Sequence, residues 1–264
     1  MASGVMQMVF LWRQRRMSFK SVRTQDLSTA VSAVSALSEP LESTLLRWRT
    51  EAAELDRLGI YDWLANRVSA DRVLEVGCGF GMSTAALVRA GKTVFALDSR
   101  MDCLKATRSL VPEATYGVAD VHHYDDHLIA DLQAFAPEAV VCWLAGAPAE
   151  ALPRDVPAAY AVMQYRLQLQ HSVVRMAMKV DTVRTIHLAD RTAFPWKMKD
   201  TGRQTLVGMI SSVILSETPF GLDVSDVQFK KIELPVASRQ LTGSLAGLIP
   251  VIGEATIKRR HNVS

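Results

Sequence analysis

The chain has 264 residues, 49% of them apolar and 22% charged, with a formal charge of +3. These figures exclude wholesale disorder and leave room for one α/β domain with an appended segment. Arg13, Arg15, Arg16, Lys20 and Arg23 crowd one end and Lys258, Arg259, Arg260 and His261 the other, but so small a net charge gives no broad basic face for nucleic acid, and basic ends of this kind read as solvated tails.

Residues 1–37 read as an N-terminal tail. Its first apolar stretch precedes its basic residues, the reverse of an export signal, and no run approaches the roughly 20 apolar residues of a membrane span. Ser21 to Ala36, rich in Ser, Thr, Ala and Val, has little periodicity and reads as a tether or weak helix, a candidate for partial disorder. After Ser38 and Pro40, Leu41, Leu45, Trp48, Ala52 and Leu55 recur at steps of four and three, the spacing of an amphipathic helix. Gly59 ends it, and a second short helix covers Ile60 to Val68.

From Arg72 the period changes, and apolar strands alternate with helical stretches as in a parallel sheet covered on both faces. Strands are expected at Val73–Val76, Thr93–Leu97, Ala114–Val118, Ala139–Leu144 and Val183–Leu188, with helices at Ser83–Ala90 and Cys103–Leu110. A Pro- and Ala-rich connection, Gly146–Pro157, leads to a helix carrying Met163, Leu167, Val174 and Ala177 on one face. A helix over Gly202–Leu215 and two late strands, near Val224–Leu234 and Val251–Ile257, complete the chain. In the last strand Glu254, Thr256 and Lys258 alternate with Val251, Ala255 and Ile257, the pattern of a strand wet on one side.

Three cysteines, Cys78, Cys103 and Cys142, lack paired or C-x-x-C spacing and imply a reducing, cytoplasmic setting. His122, His123, Asp125, Asp126 and His127 form a tempting cluster, but adjacent histidines in a loop point apart and no second ligand group with suitable spacing follows. A solvated loop and no metal are expected there.

The informative run is Val73-Leu74-Glu75-Val76-Gly77-Cys78-Gly79-Phe80-Gly81, a strand that enters three glycines and then a helix. Without Cβ atoms the turn can tighten and a ligand can lie on bare backbone at a helix N-terminus. Asp98 closes the second strand 21 positions after Gly77, where a carboxylate can accept hydrogen bonds from both hydroxyls of a ribose. Asp98 as a helix cap and Asp120 as a turn residue are the competing local readings. A nicotinamide fingerprint would need glycine where Met82 stands.

Glu75 to Gly81 with Asp98 resembles the cofactor loop of class I S-adenosylmethionine-dependent methyltransferases, and the resemblance runs from about Tyr61 to the C-terminus. It implies a Rossmann-like, seven-stranded, mostly parallel sheet with helices on both faces and a reversed strand pair at its end. The domain would span 38–264, with an N-terminal helical extension at 38–68 as a lid in which Tyr61 or Trp63 packs on the ligand or in the core. It also implies S-adenosyl-L-methionine as cofactor. Glu75 would hold the loop and the amino-acid end, and the backbone of Gly77, Cys78, Gly79 and Gly81 would face the methionyl part. Asp98 with Ser99 would hold the ribose, and Asp120 with Val121 would lie near the adenine amino group.

The acceptor side is less legible. Strand four runs into Cys142-Trp143-Leu144-Ala145-Gly146-Ala147-Pro148, not the Asn- or Asp-Pro-Pro-aromatic motif of nucleic-acid amino-methylating enzymes, and no Pro-Cys pair occurs. Tyr165, Arg166, His171, Asp190 and Arg191 fall where this fold places substrate. The expectation is a methyltransferase acting on a small molecule; a tRNA, rRNA or protein methyltransferase and a catalytically idle cofactor-binding scaffold are the alternatives.

Overall fold

A computed structural model describes residues 40–146, 148–152, 157–232 and 248–260. The tail at 1–37, part of the Gly146–Pro157 connection and the end of the expected Val224–Leu234 strand lie outside the described residues.

Two helices open the described chain, α1 (Leu41–Arg57) and α2 (Ile60–Ala65), joined through Gly59 with φ 64°. The alternating part follows as β1 (Arg72–Val76), α3 (Met82–Arg89), β2 (Thr93–Asp98), α4 (Met101–Leu110), β3 (Thr115–Val118), α5 (Asp126–Phe135) and β4 (Ala139–Trp143). Beyond it come α6 (Ala158–Met178), β5 (Thr185–Pro195), α7 (Lys199–Met209), which runs into a π-helical turn at Ile210–Ile214, and then β6 (Phe220–Gly221), β7 (Val227–Lys231) and β8 (Leu248–Arg259).

The strands form one sheet in the order β3-β2-β1-β4-β5-β8-β6, with β7 also on β8. β1 to β5 are parallel and β8 runs antiparallel to β5, β6 and β7. This is the Rossmann-like, mostly parallel sheet ending in reversed strands that the sequence implied. The count is eight and not seven because the two-residue β6 pairs with the far end of β8 at Lys258 and Arg259.

Each face of the sheet carries its own core, as a parallel sheet requires. On one, α1 to α4 bury Leu55, Leu64, Leu87 and Leu104 against Val73, Ala96, Val141 and Ile252. On the other, α5, α6 and the turn after α7 bury Leu132, Val173 and Ile214 against Leu74, Leu97, Val140 and Ile186. β2 and β3 lie to one side of β1 and β4 to the other, so the order reverses between β1 and β4 and opens a crevice above their carboxyl ends.

Two local expectations need correction. The polar stretch read as a solvated loop holds the start of α5: Asp125 caps it by accepting a hydrogen bond from the Leu128 amide at 2.9 Å, and Leu128 and Leu132 bury its apolar face. The last strand is not wet on one side. β8 lies between β5 and β7, and Glu254 is 0% exposed there, within hydrogen-bond distance of His187 Nδ1 (2.9 Å) and accepting hydrogen bonds from Thr256 Oγ1 (2.8 Å) and Arg67 Nε (2.5 Å). The basic end is partly structural: Lys258 pairs with Asp226 at 2.7 Å, and Arg259 donates to the Val183 carbonyl at 2.8 Å. Among the described residues no helix is long and apolar enough to cross a membrane.

Candidate functional site

The crevice above β1 and β4 continues into a cavity walled by the glycine loop, the ends of β2 and β4, the middle of β5 at Asp190 and Arg191, and helices α1, α2 and α6. Gly77, Gly79 and Gly81 all have positive φ, at 80°, 54° and 87°. At Gly81 a Cβ would also stand 3.0 Å from Thr107 Cα, so this position excludes side chains both by conformation and by the approach of α4. The loop is pinned at several points. The Gly77 amide donates to the Leu97 carbonyl (2.7 Å), Thr107 Oγ1 to the Gly79 carbonyl (2.8 Å), and the Gly79 amide to Asp98 Oδ2 (2.9 Å).

Asp98 Oδ1 accepts from the Arg100 amide at 2.9 Å, a turn just ahead of α4 whose N-cap is Arg100 and not Asp98, and the carboxylate also lines the cavity. Each oxygen takes one backbone N–H, which leaves lone pairs for a ligand. Burial raises its pKa, with the amides of Arg100 and Gly79 and the Arg100 guanidinium acting against that.

Of the other residues singled out in the sequence, Gly77, Cys78, Gly79 and Ser99 line the cavity with Asp98, whereas Glu75, Gly81, Asp120 and Val121 are not part of its wall. Glu75 is 2% exposed beneath the loop, accepting hydrogen bonds from Ser83 Oγ and, at 2.6 Å, Thr84 Oγ1. It therefore ties the end of β1 to the first turn of α3. Asp120 accepts a hydrogen bond from the His122 amide (2.9 Å) and pairs with His123 Nδ1 (3.1 Å), a local turn, and Val121 is buried in the core. His122 Nδ1 lies 2.9 Å from Ser172 Oγ. Among the described residues no group of three His, Cys, Asp or Glu side chains is placed to hold a metal ion.

Burial pushes the Glu75 carboxyl up to about 7 from its ordinary 4.5, against the two hydroxyl hydrogen bonds and with the Asp98 charge adding to the rise. A carboxyl whose folded pKa is raised holds its proton in the native state while the unfolded chain releases it, so its contribution to stability is intact below pH 4.5 and declines between 4.5 and about 7. At roughly 1.4 kcal/mol per unit that decline is about 3 kcal/mol. The isosteric Glu75→Gln variant should lose it: urea unfolding at pH 5 and pH 8 should show a smaller fall for the variant than for the wild type, and equal falls would remove Glu75 as its source.

Tyr165, Arg166, Asp190 and Arg191, singled out in the sequence for the acceptor side, also line the cavity, whereas His171 does not; Trp48 and Glu51 of α1 and the Trp143–Leu144 end of β4 are parts of the wall that sequence reasoning did not mark as site residues. Trp143 and Leu144 end β4, and Leu144 takes φ 56°, a conformation costing a non-glycine residue about 1–2 kcal/mol and typical of functional sites. Trp143 Nε1 is buried without a hydrogen-bond partner among the described residues. Arg166 of α6 meets Asp190 at 2.9 Å, and Asp190 Oδ1 also accepts from the Arg191 amide at 2.7 Å. From α1, Trp48 lies so close to Gly146 that a Cβ there would overlap its ring, and Glu51 pairs with Arg191 at 2.9 Å. Tyr61 lines the cavity, while Trp63 does not and carries Arg67 and Lys230 over its ring. The aromatic residues and the two ion pairs come from segments up to 140 positions apart, beyond any local sequence signal.

No family model matches the sequence. A protein-L-isoaspartate O-methyltransferase of Flavobacterium psychrophilum is 28% identical over 131 residues, covering 50% of this chain and 54% of that protein, so the chain spans about half the length of the curated relative it matches. Among solved structures, the plantazolicin methyltransferase BpumL in complex with a pentazolic desmethylPZN analog and SAH matches with TM-score 0.48 and 10% identity over 88% of this chain and 96% of that one. The methyltransferase domain of a bacterial CtHen1 matches with TM-score 0.44 and 12% identity over 76% and 98%.

Proposed function

We propose that the chain is an S-adenosylmethionine-dependent methyltransferase. The observation that carries the reading is Asp98: a ribose-competent carboxylate, braced by Gly79, facing a cavity floored by bare glycine backbone at the switch point of the sheet. Gly77, Cys78 and Gly79 would hold the methionyl part, Asp98 and Ser99 the ribose, and Glu75 would act through the loop it supports. When bound, the cofactor supplies an electrophilic methyl group on a sulfonium, so the protein has mainly to align the acceptor with it and exclude water. The aromatic walls Trp48, Tyr61, Trp143 and Tyr165 suit that exclusion, with α1 and α2 acting as the lid. Where the acceptor must lose a proton, Asp190, pushed up by burial and held by Arg166, stands in the wall to receive it.

A small-molecule acceptor is supported by the lid across the cavity and by the absence of the amino-methylation motif from the β4 end. The test is transfer of radiolabel from methyl-labelled S-adenosylmethionine to a small-molecule extract, to total RNA and to an isoaspartyl peptide, the last because of the relative's own name. Label in the small-molecule fraction is expected, label confined to RNA or peptide would reassign the acceptor, and label in none would favour the scaffold.

The Trp48–Gly146 contact gives the lid its own check. Gly146→Ala should push Trp48 off its seat, raising proteolysis within α1 in the free protein; unchanged proteolysis would show that α1 is held by other contacts.

A further inference from the structure

Three residues of the cavity wall carry a buried nitrogen with no hydrogen-bond partner among the described residues: Arg100 Nε, Trp143 Nε1 and Arg166 Nε. All three are N–H groups that can only donate. No buried side-chain oxygen is in the same state among the described residues, so the unmet demand of the wall is for acceptor atoms. Arg100 stands beside Asp98 on the nucleoside side, its terminal nitrogens turned to Asp102 (3.3 Å) and Glu150 (3.5 Å). Arg166 stands on the opposite wall, where the spacing of Val162, Tyr165 and Arg166 puts them on one face of α6 toward the cavity. Trp143 pairs in register with Ala189, the residue before Asp190, so its unmet indole N–H comes from the adjoining strand.

The pairing of Arg166 is one-sided. Asp190 meets it at Nη1, 2.9 Å away, and Asp190 is held in turn by the Arg191 amide at 2.7 Å. A guanidinium presents parallel N–H groups from Nε and Nη2, an edge that a planar carboxylate accepts with both oxygens. The Asp190 contact at Nη1 keeps clear of that edge, whose Nε–H is unmet. At 34% exposure the side chain has room to turn the edge to a ligand while Nη1 stays on Asp190. We propose that the methyl acceptor is a small carboxylic acid, anchored through its carboxylate by the Nε–Nη2 edge of Arg166, with Val162 and Tyr165 against its apolar body. The inference rests on the methyltransferase reading and names the substrate class of that site. The guanidinium then lies between the ligand's carboxylate and that of Asp190, and the burial that favours the protonated form of Asp190 lessens the repulsion between them. Because the anchor belongs to α6 and β5 and not to the glycine loop, it governs binding of the acceptor and not of the donor.

The test titrates the full chain, saturated with S-adenosylhomocysteine, with three probes that share a ring: benzoate, benzamide and phenylphosphonate. Benzoate should bind at least tenfold more tightly than benzamide, which has its shape without its charge, and than phenylphosphonate, whose tetrahedral anion does not match the planar edge. Arg166→Lys keeps a cation for Asp190 and loses the two-pronged edge, so it should weaken benzoate at least tenfold and leave S-adenosylhomocysteine within twofold. No binding of benzoate, equal or tighter binding of either other probe, or benzoate binding unchanged in the variant would overturn the carboxylate anchor while leaving the methyltransferase reading intact. Equal weakening of benzoate and S-adenosylhomocysteine by Arg166→Lys would overturn it too, since the residue would then serve the shape of the whole site. A wild type that does not bind S-adenosylhomocysteine would overturn both.

Discussion

Asp98→Ala is expected to weaken S-adenosylhomocysteine binding at least tenfold. The variant removes a carboxylate that would accept two ribose hydroxyls, and hydrogen bonds to a charged partner contribute about 1.5–3 kcal/mol each, against 1.4 kcal/mol per tenfold in affinity. It also removes the acceptor of the Gly79 amide, which lets the loop relax. Asp98→Asn separates the two effects, because its amide oxygen still accepts from one backbone N–H while the negative charge is gone. An Asn variant intermediate between the wild type and Ala would show that both loop bracing and charge contribute. Full affinity in the Ala variant, measured by calorimetry, would mean that Asp98 is only the turn residue that its bond to the Arg100 amide also makes it.

The second large effect is on stability, at a place far from the loop in sequence. Glu254 is fully buried between His187, Thr256 and Arg67, and the Glu254→Ala variant would leave the buried His187 ring and the half-buried guanidinium without their acceptor. Breaking a buried ion pair from one side costs about 3–5 kcal/mol, because the surviving charge has lost both water and partner. At roughly 2–4 °C per kcal/mol for a domain of this size, the melting temperature should fall by about 6–20 °C. Arg67 lies two residues beyond α2, so the loss should also loosen the C-terminal end of that helix. A fall under 2 °C by calorimetry would show that the cluster is solvated in solution.

Why the place of Asp98 beside the glycine loop is legible from the sequence and the burial of Glu254 is not follows from the range of the forces involved. The loop from Glu75 to Gly81 is dictated locally, by glycines that take positive φ without steric cost and, at Gly81, by the 3.0 Å approach of Thr107. The Asp98 spacing is equally local, set by one crossover helix between neighbouring strands. The period-two pattern presumes one wet face and so puts Glu254 in solvent, and nothing near Val251–Ile257 says that β8 is inserted between β5 and β7 with Arg67, just beyond α2, reaching Glu254. Helix α5 has a local signal, with Asp125 ahead of Leu128, Leu132 and Phe135, but the polar run His122 to His127 that overlaps its start reads as a solvated loop.

The candidate site divides along the same line. Gly77, Cys78, Gly79, Asp98 and Ser99 came from sequence and do line one cavity. Glu75 was recognised for its position, but only the packing shows that it sits beneath the loop and works through Ser83 and Thr84. Tyr165, Arg166, Asp190 and Arg191 are legible as acceptor-side positions, but the contacts of Trp48 with Gly146, Glu51 with Arg191 and Arg166 with Asp190 span 24 to 140 positions, so no local pattern pairs them.

The central claim is a site for the adenosyl cofactor, and calorimetric titration of the full chain with S-adenosylhomocysteine, beside an identical titration with NADH, tests it most directly. Micromolar or tighter binding of S-adenosylhomocysteine with none of NADH is the predicted result. No binding of S-adenosylhomocysteine, or a preference for NADH, would contradict it.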